Sequence, residues 1–203
     1  MGRSLCGGIL AVALLAGWAG DLVAQETGTP VFKAPYRAFE DHEFGISFSD
    51  YEAVSGALEG FFMYGSGKND FGVRGGIADP SGEGDVRVLL GGSFRTRIVE
   101  YSDAFPLDGS LTLGLGANLG SGDDRFLVPL GITLGRKLDL EGSNTSFTPY
   151  VHPVLVPTFG NGSSVEFALG LGVDIRFSER WSARASGGLG DIEGVGISLA
   201  YIR

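Results

Sequence analysis

The stretch that decides the fold is Val165-Glu-Phe-Ala-Leu-Gly-Leu-Gly-Val-Asp-Ile-Arg-Phe177. Every second residue is apolar: Val165, Phe167, Leu169, Leu171, Val173, Ile175 and Phe177. Between them lie Glu166, Ala168, Gly170, Gly172, Asp174 and Arg176. A strict period of two is a β-strand with one greasy face and one small or charged face. A soluble sandwich buries the greasy face and wets the other. A membrane barrel turns the greasy face to lipid and the small, charged face to its lumen.

The same alternation recurs along the chain. Phe44, Ile46 and Phe48 mark one strand, and Leu58, Phe62 and Tyr64 the next. Phe71, Val73, Gly75 and Ile77 alternate with Gly72, Arg74 and Gly76, and Val86, Val88 and Leu90 follow before a bend at Gly91-Gly92. Leu111 to Leu119 and Phe126 to Leu134 add two more, the latter with Pro129 on its opposite face at the cost of one ladder bond. A seventh strand, about Phe147 to Val156, carries Pro149 and Pro153. After the opening stretch come Trp181 to Leu189 and a last strand with Ile197, Leu199 and Tyr201. Clusters of Gly, Asp, Asn and Ser punctuate them. The spacing predicts an all-β, transmembrane, antiparallel up-and-down barrel of about ten strands. Eight is the alternative, because the connections over 96–108 and 136–145 are long for the short-turn side of such a barrel.

Composition fits this reading. The chain has 203 residues, 43% of them apolar, with 35 glycines. A net charge of −9 argues against nucleic acid, whose phosphates need clustered Lys and Arg. Residues 1–24 read as a cleaved signal peptide, with Arg3 before an apolar run and Ala24 before the cut. That run is too short for the roughly 20 residues of a membrane-spanning helix. The one cysteine, Cys6, lies inside it, which leaves no disulfide or Cys-based metal site beyond residue 24. Residues 25–40, with Pro30 and Pro35, show no period and read as a periplasmic leader or linker, with Phe32, Tyr36 and Phe39 as possible surface anchors. The barrel is expected over 41–203.

Charge within strands avoids the greasy faces. Glu59, Arg74, Arg87, Glu166, Asp174, Arg176 and Arg184 all fall on the opposite faces. In a narrow lumen such charges pair, because an unpaired buried charge is costly. Gly and Ala on those faces suit a barrel with little internal room. Tyr64, Phe126, Phe177, Trp181 and Tyr201 stand near strand ends, as interfacial girdles do.

Three local features carry a resemblance: Gly170 to Trp181 with its tight turn at 178–180, Val128-Pro-Leu-Gly-Ile-Thr-Leu-Gly135, and the final Ile197-Ser-Leu-Ala-Tyr201. In them the chain resembles the small bacterial outer-membrane β-barrel proteins. The resemblance implies a Gram-negative-type envelope, location in the cell outer membrane with periplasmic ends, and insertion by the assembly machinery through the C-terminal strand. It also implies outer-membrane lipid and lipopolysaccharide as partners.

Catalytic chemistry is thin. His42 and His152 sit in different strands, and only His42, beside Glu40, Asp41 and Glu43, has acidic neighbours. No catalytic, cofactor-binding or metal-ligating set emerges, so no enzyme is expected. Gly65-Ser-Gly-Lys68 lacks the spacing of a phosphate loop and reads as a turn. The outward loops carry Asp50, Glu52, Asp79, Glu83, Asp85, Asp123, Asp124, Asp191 and Glu193, an acidic rim able to hold divalent cations weakly. The leading function is a structural or interaction role with a largely filled lumen. The alternatives are a small pore for ions or small solutes, resting on the Gly-rich inner faces, and a soluble lipocalin-like barrel with its greasy faces inward. On the lipid-facing reading, Leu171→Arg blocks insertion and Gly172→Ala is mild.

Overall fold

The computed structural model describes residues 26–35, 42–51, 54–80, 85–120, 124–160 and 162–203. The expected signal peptide lies outside the described residues. Twelve strand segments follow one another: β1 (Glu43–Tyr51), β2 (Val54–Ser66), β3 (Asn69–Pro80), β4 (Arg87–Val99), β5 (Asp108–Leu119), β6 (Arg125–Leu127), β7 (Leu130–Gly135), β8 (Leu138–Asp139), β9 (Ser146–Gly160), β10 (Ser163–Arg176), β11 (Trp181–Gly190) and β12 (Gly194–Ile202). β6 and β7 both lie between β5 and β9, and β8 prolongs them along β9. These three segments are one stave, so the barrel has ten. Val128-Pro129 separates β6 from β7 because proline has no N–H for the ladder. The stave stays attached there through Gly114 N–H to Pro129 O (2.8 Å) and Val128 N–H to Pro157 O (2.9 Å).

Every neighbour is antiparallel and consecutive, and β1 pairs with β12 from Glu43 opposite Ile202 to Tyr51 opposite Gly194. The sheet therefore closes, which removes its edges. His42 and Arg203 exchange backbone hydrogen bonds of 3.0 and 2.7 Å at the same mouth. That mouth also carries the Gly67 turn, loops 100–107 and 140–145, and the turn over 177–180. The long connections there do not reduce the count to eight. β4 runs on to Val99, and β8 pairs Leu138 with Phe147, so the strands extend and the loops are shorter than the sequence suggests. β9, the strand with the least regular sequence, is the longest at 15 residues.

The period of two sets which face is which. Val165 is 68% exposed and Phe167, Leu171 and Phe177 are 41–48% exposed, whereas Glu59 is 1% and Asp174 2% exposed. Leu169, Val173 and Ile175 lie on the same outer face, half-buried among neighbouring side chains. Phe44, Ile46, Leu58, Val73, Ile77, Leu90, Leu115 and Ile132 continue this outer belt round the barrel. A lipocalin-like barrel with greasy faces inward is thus excluded by the direction of the side chains. Aromatic contacts ring the mouth that holds both barrel ends: Trp181 on Tyr201 edge-on at 5.2 Å, Tyr201 near Phe44 at 5.3 Å, and Phe71 near Phe94 at 5.1 Å.

Candidate functional site: the bore and its strap

Residues 26–35 are not a leader outside the barrel. They run through its interior, and every one is buried except half-buried Lys33. This strap was invisible to periodicity because it belongs to no sheet. Its environment is set by the walls around it, not by its own pattern. Pro35 lies near Ser110 and Gly135, toward the mouth with the barrel ends. Glu26 lies against Gly114 and Gly116, farther toward the opposite mouth.

The inner-face glycines form the bed of the strap. A Cβ built on Gly116 would overlap the carbonyl of Glu26, and one on Gly170 would overlap the ring of Phe32. One on Gly114 would stand 2.6 Å from Glu26 Cγ, and one on Gly196 would stand 2.9 Å from the Pro30 carbonyl. Both separations are below normal contact. In the sequence alone these small residues suit either a crowded bore or an open pore. They hollow a groove of defined path.

The walls hold the strap chiefly by its main chain. Ser186 Oγ donates to Pro30 O (2.7 Å) and Tyr150 O–H to Phe32 O (3.0 Å). Thr133 Oγ1 donates to Lys33 O (2.7 Å), Arg95 to Ala34 O, and Ser110 to Pro35 O. In return Phe32 N–H reaches Ser186 Oγ and Lys33 N–H reaches His152 Nδ1, each at 3.3 Å. His152 Nδ1 accepts, so the neutral ring carries its proton on Nε2, 2.8 Å from Thr112 Oγ1. His152 is therefore a strap anchor and not the isolated histidine of the sequence. Its ring also meets that of Phe32 edge-on at 6.0 Å.

Charges fill the remaining space in pairs. Arg74 binds Glu59 (3.0 Å) and Ser47 (3.0 Å), and Glu59 also accepts from Thr29 of the strap (2.8 Å). Arg184 bridges Asp174 (2.9 Å) and Glu43, with Phe61 under its guanidinium at 5.2 Å. Arg95 pairs with Asp70 at 2.7 Å, and Lys33 with Glu26 and with Ser93 at 2.5 Å. Low local dielectric makes each such pair strong and each broken pair costly.

Five of the seven expected lumen charges lie within the wall. Glu59 meets Arg74, Asp174 meets Arg184, and buried Glu166 accepts from Ser164 at 3.1 Å. Arg87 sits near the mouth opposite the barrel ends, on Asn118. Arg176 donates to the turn carbonyls of Ser178 (3.3 Å) and Glu179 (2.6 Å). Glu43, Asp70 and Arg95 were missed. Asp70 reads as turn punctuation, and Arg95 lies beyond Gly91-Gly92, where a bend was expected but β4 continues.

Two of the acidic loop residues serve the turns, and Glu52, Glu83 and Asp123 lie outside the described residues. Asp191 accepts from Phe167 N–H (2.8 Å) and Asp124 from Gly120 N–H (3.1 Å). No three metal-ligating side chains converge among the described residues. His42 stacks on Tyr64 at 4.5 Å on the barrel's rim. A cavity beside the strap, lined by Phe61, Met63, Gly72, Arg74 and Ser93 among others, measures about 30 Å³. That is room for roughly one water.

No protein-family model matches the chain, and no curated protein matches it. Among solved structures, the β domain of the Bordetella autotransporter Brka is similar at 15% identity and a TM-score of 0.49, over 80% of this chain and 98% of that one. The closed antiparallel ladder of ten staves and its apolar outer belt are the architecture of a membrane-spanning β-barrel.

Proposed function

We propose that the protein is a small outer-membrane barrel with a structural or interaction role, closed by its own segment 26–35 and without catalysis. The observation that carries this reading is the strap itself, whose main chain over 30–35 is bonded by wall side chains from five of the ten staves. The pore alternative needs the Gly-rich inner faces to be open, and the strap occupies the groove they form. The aromatic mouth and the paired barrel ends fit a periplasmic orientation of that end, reached after removal of a signal peptide. Outer-membrane lipid and lipopolysaccharide are then the solvent of the belt. The C-terminal strand, with Ile197, Leu199 and Tyr201 facing outward, is the element offered to the assembly machinery. Any cation at the acidic loops is held weakly.

The test is electrical. Purified full-length protein, inserted in planar bilayers, is expected to show no steady unitary conductance. Reproducible channels from every inserted molecule would overturn the closed reading.

A further inference from the structure

The way the strap is held has a chemical consequence. The carbonyls of Pro30, Phe32, Lys33, Ala34 and Pro35 and the amides of Phe32 and Lys33 are the groups the walls engage. Any polypeptide in extended form presents the same groups. Side-chain selection is concentrated at Phe32, which is 1% exposed and lies in a slot between Gly170 and Gly188. It packs there with Tyr150, Val154, Val156 and Ile192. Thr29 adds a bond to Glu59 and Lys33 one to Ser93, and the ion pair of Lys33 with Glu26 is internal to the strap. A groove that reads main chain plus one aromatic is how proteins recognise extended peptides.

We propose that the bore is a binding site for an extended polypeptide segment, with residues 26–35 as its resident occupant. A second segment bearing an aromatic side chain in the place of Phe32 occupies the same path when the strap is out of it. This rests on the reading that the strap closes the barrel.

The test uses a chain lacking residues 25–35, refolded in detergent, with folding checked by heat-modifiable gel migration. A fluorescein-labelled peptide of the sequence 26–35 is added, and anisotropy is followed. Saturable binding is expected. A peptide with Phe32→Ala should bind roughly 100-fold more weakly. One N-methylated at Phe32 and Lys33 should bind about tenfold more weakly, through two lost donors. A ten-residue peptide of unrelated sequence should bind when Phe stands at its seventh place and should not bind without an aromatic. Equal binding of the aromatic-free peptide, or no binding to a folded barrel, overturns the proposal. If the shortened chain does not fold, the full chain carrying Phe32→Gly takes its place. Its weakened strap should yield to the labelled peptide, and failure to exchange counts against the proposal. A folded barrel without its strap that takes no peptide, beside a full-length barrel that is closed to ions, refutes this inference alone. One that conducts refutes the plug reading beneath it.

Discussion

Phe32→Ala perturbs the strap without touching a single ladder hydrogen bond of the barrel. The ring is 1% exposed and belongs to the apolar cluster with Tyr150, Val154, Val156 and Ile192. Truncating a buried Phe costs about 3–5 kcal/mol. Because the staves are held by their own backbone pairing, this cost falls on the equilibrium between strap in and strap out. At about 1.4 kcal/mol per tenfold, the withdrawn population rises by roughly a hundred- to a few-thousandfold. The Tyr150 and Ser186 bonds to residue 32 involve its main chain and survive the change. In planar bilayers the variant is expected to show intermittent openings that the parent lacks, and in vesicles its strap should become cleavable by added protease. A variant that stays as silent and as protease-resistant as the parent, while still folding, would refute the reasoning.

Other perturbations test separate parts of the account. Leu171→Arg puts a charge on the outer belt beside Gly170 and Gly172, at about 2–4 kcal/mol if it lies near the bilayer midplane. Insertion into lipid vesicles should fall, and normal insertion would mean the face is not lipid-exposed. Asp70→Asn leaves buried Arg95 without its carboxylate partner and should destabilise the barrel by about 3–5 kcal/mol, read from urea unfolding. No change in the midpoint would show the pair to be dispensable. The seam between β9 and the β6–β7 stave should exchange amide hydrogens faster than the β9–β10 seam. Pro149, Pro153 and Pro157 offer no N–H along it, and the carbonyls of Pro149 and Pro157 receive Arg136 N–H and Val128 N–H from the stave. Equal protection of the two seams would contradict that assignment.

The strands were legible because burial in a barrel alternates with every residue, so Val165 to Phe177 announces both of its faces. Asp174 and Arg184 were placed in the lumen by the same rule. The strap obeys no such rule: residues 30–35 bond their backbone to side chains of six positions scattered from Arg95 to Ser186. Its trace in the sequence is indirect, the row of glycines on inner faces at 91, 114, 116, 170, 188 and 196. A glycine whose missing side chain is someone else's space looks, in one sequence, like a glycine that is merely small. Gly172 shows the same limit. The expectation of a mild Gly172→Ala fails, because a Cβ there would overlap the Tyr150 hydroxyl and stand 2.8 Å from the Ala185 carbonyl.

A disulfide across the bore would tie the strap to the wall. Beyond residue 24 the chain has no cysteine of its own. Thr27→Cys with Gly91→Cys joins strap to wall. A Cβ at position 91 would lie 2.9 Å from Thr27 Cγ2, and its other near neighbours are side-chain atoms of Arg74 and Glu26. The two residues are close enough for disulfide geometry. Oxidation of the folded, membrane-inserted protein should form the bond in nearly every molecule and leave the barrel silent in planar bilayers. Free thiols at both positions that react with a membrane-impermeant maleimide would place the strap outside the bore and contradict the account.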